Sequence, residues 1–228
     1  MDECAAAGGT MLAVGMSPDE ARAVISKHDR TVSIAAFNGP RSLTLSGLKT
    51  SLEVIAAELE SKGVFARFLQ VSHPFHHAMM QPAADALKAA LADLNPTPET
   101  LPFFSTVTGQ RLDGASCDAS HWSRGVRQPV EFASAIGALS EFGVDAWLEI
   151  GAHPALVRSI QECLGDSSGK TAVLASARRE REHESLLETA MDLHLAGVVL
   201  DFKALTPSHR LLTLPTYSWD KARWWNES

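Results

Sequence analysis

Thr31-Val32-Ser33-Ile34-Ala35-Ala36-Phe37-Asn38-Gly39-Pro40-Arg41-Ser42-Leu43-Thr44-Leu45-Ser46 is the stretch on which the reading of the fold turns. Two runs of β-branched and apolar residues, 31–37 and 42–46, flank Asn38-Gly39-Pro40-Arg41. An Asn-Gly pair tolerates the positive φ values that a tight turn between neighbouring strands requires, so the spacing predicts a hairpin.

Working outward, residues 10–14 form a short apolar run, followed by Ser17-Pro18-Asp19-Glu20. A serine cap, a proline at the first helical position and two early acids start a helix that runs to about His28. On the other side, Leu52, Ile55, Ala56 and Leu59 recur at helical spacing over residues 50–62, with Glu53, Glu58 and Glu60 turned away and Gly63 as the stop. Val64 to Val71 reads as a closing strand. The order strand, helix, strand, strand, helix, strand over residues 10–71 is the split βαβ pattern of a ferredoxin-like small subdomain.

Beyond residue 72 the signals change. Residues 78–94 read as an Ala- and Leu-rich helix closed by Asn95-Pro96-Thr97-Pro98, and 103–107 as a strand. Helix 130–142, strand 146–150, helix 155–164, strand 172–175 and helix 184–195 then alternate, which predicts an α/β layer on a parallel sheet. After Gly197 the chain loses periodicity and reads as an extended linker through Leu214-Pro215-Thr216-Tyr217-Ser218-Trp219 and Trp224-Trp225. Three regions result: 10–71, 72–200 and 201–228. The tryptophans Trp219, Trp224 and Trp225 are expected to dock on an apolar groove of their own or of a neighbouring domain.

Composition narrows the function classes. With 45% hydrophobic and 21% charged residues over 228 positions, the chain is of ordinary globular type. Its formal charge is −7, and its basic residues are scattered apart from Arg178, Arg179 and Arg181, which argues against nucleic acid. Cys4, Cys117 and Cys163 are odd in number and widely spaced, which suggests neither a disulfide framework nor a zinc knuckle and fits a reducing cytoplasm. No stretch is long and apolar enough to cross a bilayer, and Met1-Asp2-Glu3-Cys4 does not open a secretory signal, so neither membrane nor export is expected.

Val71-Ser72-His73-Pro74-Phe75-His76 resembles the specificity motif of modular polyketide synthase acyltransferases, roughly His-Ala-Phe-His in malonyl-selective members. Agreement extends to Phe37-Asn38-Gly39-Pro40, Ser105-Thr106-Val107-Thr108-Gly109, His121-Trp122 before Pro129-Val130-Glu131-Phe132, and Leu148-Glu149-Ile150-Gly151-Ala152-His153-Pro154. The ending 214–219 with Arg223-Trp224-Trp225 is similar to the linker that follows these domains. The resemblance implies an α/β-hydrolase-like subdomain carrying a ferredoxin-like one, with the rear part of the former at residues 72–200. It implies transfer of malonyl units from malonyl-CoA, or a related acyl-CoA, to an acyl carrier protein, and no cofactor.

It also implies roles for particular residues. His76 is the catalytic histidine. His73 and Phe75 line the acyl pocket, and the bulk of Phe75 crowds a branched extender, favouring malonyl; Pro74 departs from the family's alanine. Asn38 borders the cleft, although its turn chemistry alone accounts for it. A backbone carbonyl near His153 orients the imidazole of His76. Acyl transfer between thiols runs through an acyl-serine with a histidine as proton carrier. The family places that serine in a Gly-His-Ser-x-Gly elbow, which the 228 residues do not contain. The nearest match, Gly15-Met16-Ser17-Pro18-Asp19, lacks the second glycine, and Ser17 reads as a helix cap. The carboxylate-binding arginine of malonyl-type members falls before residue 1.

Two readings follow: a partial acyltransferase completed by an N-terminal acyltransferase half or neighbouring synthase domains, and a non-catalytic module serving docking or structure. A third, metal bound by His73, His76 and His77, is weakened by Pro74, which breaks the continuous helix that such spacing needs.

Overall fold

The computed structural model describes residues 8–28, 30–205, 213–220 and 222. Strand β1 (Gly9–Val14), helix α1 (Pro18–Ile25), strands β2 (Val32–Gly39) and β3 (Ser42–Leu48), helix α2 (Lys49–Ser61) and strand β4 (Ala66–Phe68) follow one another. The strands pair antiparallel in the order β2-β3-β1-β4. Alternate residues of the strands point inward, so Leu12, Val14, Ile34, Leu43 and Leu45 meet Leu52, Ile55 and Leu59 of α2 in one closed core. The hairpin forms, but its turn is Pro40-Arg41: Asn38 and Gly39 belong to β2, Gly39 pairs with Ser42, and neither has a positive φ. Ser17 starts α1 through a reciprocal cap in which its hydroxyl accepts from Glu20 N and the Glu20 carboxylate accepts from Ser17 N at 2.6 Å. β4 is shorter than the predicted 64–71 strand.

After β4 come a one-turn 3₁₀ segment (Ala78–Met80), helix α3 (Gln81–Ala90), strands β5 (Phe104–Ser105) and β6 (Gln110–Arg111), and helix α4 (Ala119–Arg127). Then follow α5 (Phe132–Phe142), β7 (Ala146–Glu149), α6 (Val157–Leu164), β8 (Ala172–Ala175), α7 (Glu182–Leu195) and the short α8 (Phe202–Leu205). β7 and β8 form a parallel pair, with α6 as the crossover between them.

Three expectations change. The strand predicted at 103–107 is a small hairpin, because Gly109 at φ +70° turns the chain back so that Gln110 pairs with Ser105. α4, started by Asp118 accepting from His121 N at 2.8 Å, was not predicted. Val130 does not begin α5: it lies along the outer edge of β2, donating to the Ala35 carbonyl at 2.8 Å and accepting from Phe37 N at 2.9 Å. The preceding Pro129 holds Gln128, the residue before it, extended.

That edge pairing is one seam between the antiparallel sheet and the rest. At another, α6 meets the β2–β3 turn: Glu162 accepts from Arg41 N at 3.1 Å, and the Cys163 thiol donates to the Asn38 carbonyl at 3.4 Å.

In the tail, Leu214, Tyr217 and Trp219 are each 74% exposed, and Trp219 packs edge-on against Tyr217 rather than in a groove. Met1 to Cys4 and Arg223, Trp224 and Trp225 lie outside the described residues. Among the described residues no helix is long and apolar enough to cross a membrane.

Candidate active site

The segment between β4 and α3 carries the histidines, and packing fixes its path. The buried ring of Pro74 lies directly on the backbone of Gly9, where any Cβ would collide with it. Three residues on, His77 is buried, and its Nδ1 accepts from Met79 N at 3.2 Å, capping the 3₁₀ turn. An accepting Nδ1 puts the proton of neutral His77 on Nε2. Burial, reinforced by the nearby Arg127 guanidinium, holds its pKa below the usual imidazole value.

His76 is clamped twice by the end of α4. Its backbone N–H donates to the Val126 carbonyl at 3.1 Å, and its Nδ1 lies 2.9 Å from the Gln128 carbonyl. A carbonyl can only accept, so Nδ1 carries the hydrogen and Nε2 keeps its lone pair. Burial lowers the His76 pKa, and the bond to Gln128 partly opposes the shift. The side chain is therefore a neutral base at neutral pH, already in the tautomer that a proton acceptor needs. The backbone of His76 sits at φ +61°, in the left-handed region that a non-glycine residue seldom adopts.

The orienting carbonyl is that of Gln128, not one near His153. Glu149 explains why: its carboxylate accepts from Ala155, Leu156 and Val157 N at 2.8, 2.9 and 3.0 Å, fastening the 150–156 loop to the start of α6 with His153 exposed. Gln128, by contrast, is extended at the close of α4. The residue before a proline is pushed to that conformation, so Gln128-Pro129 was the available sequence signal.

A cleft of about 200 Å³ opens beside His76, bordered by Arg30, Ser33, Ile34, His77, Arg127 and Pro129. The Ser33 hydroxyl is buried and has no partner among the described residues. His73 and Phe75 do not border this cleft. Their rings lie 5.6 Å apart, and the Ser72 hydroxyl is 2.9 Å from His73 Nδ1. Asn38 sits at the opposite end of β2, where its amide donates to Thr44 Oγ1 at 3.2 Å. Among the described residues no three His, Cys, Asp or Glu side chains could hold a metal; the Nδ1 atoms of His76 and His77 are already committed to backbone groups.

A second serine–histidine pair lies away from the cleft. Ser105 Oγ is 3.3 Å from His121 Nε2 and accepts from Val107 N at 3.1 Å, while His121 Nδ1 is buried without a partner among the described residues. Ser105 and His121 are only 3% and 1% exposed, so no substrate can reach them and the pair serves packing.

Residues 1–199 match the acyl transferase domain family, and the chain belongs to it. It is 35% identical to polyketide synthase GfsB of Streptomyces halstedii and 32% identical to erythronolide synthase EryA2 of Saccharopolyspora erythraea, each over 95% of its length. It spans only 4% and 6% of those two synthases. Its structure is similar to the acyltransferase domain of the second module of the salinomycin polyketide synthase, with TM-score 0.80 and 34% identity over 90% of this chain and 49% of that one. It is also similar to a malonyl CoA-acyl carrier protein transacylase from Clostridium perfringens, with TM-score 0.71 and 27% identity over 83% of this chain and 59% of that one. The chain thus spans about half the length of these solved structures.

Proposed function

We propose that the chain supplies the histidine-bearing part of a polyketide synthase acyltransferase that moves malonyl units from malonyl-CoA to an acyl carrier protein in a cytoplasmic synthase. His76 is the general base. Its Nε2 takes the proton of a serine hydroxyl as that oxygen attacks the thioester, and returns it to the departing thiolate. In the second half it deprotonates the carrier thiol, which attacks the acyl-serine and restores the serine hydroxyl. The observation that carries this reading is the 2.9 Å contact between His76 Nδ1 and the Gln128 carbonyl, which leaves Nε2 as the acceptor.

Within this reading, residues 10–71 are the ferredoxin-like small subdomain, supported by the β2-β3-β1-β4 order. Residues 72–200 are the rear part of the large subdomain and 201–228 the linker. His73 and Phe75 bias the acyl pocket toward malonyl, and Asn38 serves the turn and the seam with α6 more than the substrate. The serine comes from a polypeptide with a Gly-His-Ser-x-Gly elbow, because these 228 residues contain none.

The test combines the chain with a fragment carrying that elbow, malonyl-CoA and a carrier protein, and follows malonyl-carrier by mass spectrometry. Transfer is expected with the natural chain and its loss with His76→Ala. Transfer that survives His76→Ala would remove His76 from the mechanism. Absence of transfer under all combinations would favour the non-catalytic module.

A further inference from the structure

Two histidines stand side by side at the candidate active site, and the acyl-transfer reading uses only the first. His77 is buried, extended at φ −117° and ψ 159°, and opens the 3₁₀ turn of Ala78–Met80. It holds that turn twice: its carbonyl accepts from Met80 N at 2.9 Å, and its Nδ1 accepts from Met79 N at 3.2 Å. Burial and the nearby Arg127 guanidinium keep the ring neutral at neutral pH, so the Nδ1 lone pair is available for this bond. The turn runs straight into α3 through Met80, which is fully buried. α3 is tied to α4 by Ser123 Oγ, which donates to the Ala84 carbonyl at 2.9 Å. The end of α4 supplies both carbonyls that hold His76, those of Val126 and Gln128. His76 therefore sits in a closed circuit of contacts, and the side chain of His77 is one of its links.

The circuit matters because of the backbone of His76. At φ +61° it occupies a conformation that an unconstrained histidine leaves. A return to negative φ would turn Cβ about the N–Cα bond and carry the imidazole off the Gln128 carbonyl. The bond that selects the tautomer with a free Nε2 would go with it. A group that fixes the backbone immediately after His76 thereby fixes the direction of the base. We propose that His77 is a positioning residue: by capping the turn that follows, it holds His76 in its left-handed conformation with Nδ1 on the Gln128 carbonyl. The catalytic consequence rests on the acyl-transfer reading, whereas the orientation of His76 can be followed in the chain alone.

Two substitutions separate capping from bulk. Asparagine carries Oδ1 on Cγ, where histidine carries Nδ1, and is a strong N-cap, although it is smaller. Glutamine keeps more of the volume but sets its oxygen a bond farther out, beyond the capping position. Long-range proton–nitrogen NMR correlations of the full chain report which ring nitrogen of His76 bears the hydrogen. Protonation at Nδ1 is expected in the natural chain and in His77→Asn, and a mixture of tautomers in His77→Gln and His77→Ala. In the transfer assay with the elbow fragment, His77→Gln and His77→Ala should lower kcat about tenfold or more with KM for malonyl-CoA little changed, while His77→Asn should stay within about threefold of the natural chain. Circular dichroism checks that each variant is folded; should His77→Ala fail to fold, the Asn and Gln pair carries the test. The same His76 tautomer in His77→Gln as in the natural chain would overturn the positioning role. So would equal losses in His77→Asn and His77→Gln, which would assign the effect to the ring itself. Control of the tautomer by His77 without transfer in any combination would retain the positioning role and reject the acyl-transfer reading. Transfer that depends on His76 but is indifferent to His77→Gln would do the reverse.

Discussion

The antiparallel sheet of β1–β4 encloses its apolar side chains, whereas the parallel pair β7–β8 and its neighbours leave many of theirs open. In the former, Leu12, Leu45, Leu52 and Ile55 are fully buried between strands and helix. Around the latter, Phe132, Ile136, Trp147 and Ile160 form a smaller buried cluster, while Ile150, Leu195 and Val199 are 84%, 80% and 95% exposed. Antiparallel strands can close a core on one face, whereas a parallel sheet is normally covered on both. The difference teaches that the first region encloses a core of its own, whereas the second leaves large apolar side chains open to solvent.

The largest expected effect tests that contrast directly. The chain should self-associate through the second region, and Ile150→Lys with Leu195→Lys should shift it toward monomer in sedimentation velocity, whereas charges on the exposed face of α2 should not. A clean monomer before substitution would break the comparison. Next, Ile55→Ala should cost about 2–5 kcal/mol in denaturant unfolding, as expected for a fully enclosed site, and Ile160→Ala roughly half of that because its smaller cluster can relax.

A weaker effect concerns pH. Burial lowers the pKa values of His76, His77 and His121 in the folded chain. The unfolded state therefore takes up protons first. The stability that these groups contribute is present above the unfolded imidazole value of 6.5 and is lost as pH falls through the lower folded values. Melting temperature should drop between pH 7.5 and 5.5, and each His→Gln change should flatten that slope. Smallest is the cap: Glu20→Ala should lower the melting temperature slightly by removing the carboxylate that accepts from Ser17 N, while the Ser17 hydroxyl still accepts from the backbone N–H of residue 20.

Legibility in the sequence follows the same division. The elements of the antiparallel sheet could be read because each has a local cause: the break at 38–41 between two apolar runs for the hairpin, although the turn itself falls on Pro40-Arg41, Ser17-Pro18 for the start of α1, and the spacing of Leu52, Ile55 and Leu59 for α2. α4 was hidden because Ala119-Ser120-His121-Trp122 shows little apolar periodicity; its burial comes from packing on α3, where Ser123 Oγ donates to the Ala84 carbonyl at 2.9 Å. His76 was visible through its neighbours in the chain. Its carbonyl partner lies 52 positions away and acts through backbone, so the one local signal was Pro129, which holds Gln128 extended without naming what its carbonyl meets.

The left-handed backbone of His76 has a further consequence. At most exposed or half-buried positions, truncation to alanine harms a fold less than truncation to glycine. Here the ranking should invert, since glycine alone enters that conformation freely and the others incur a cost of about 1 kcal/mol. A chain that melts later with glycine at 76 than with alanine, yet transfers nothing in either form, would mark this histidine as one that selection keeps for its chemistry against the preference of the main chain.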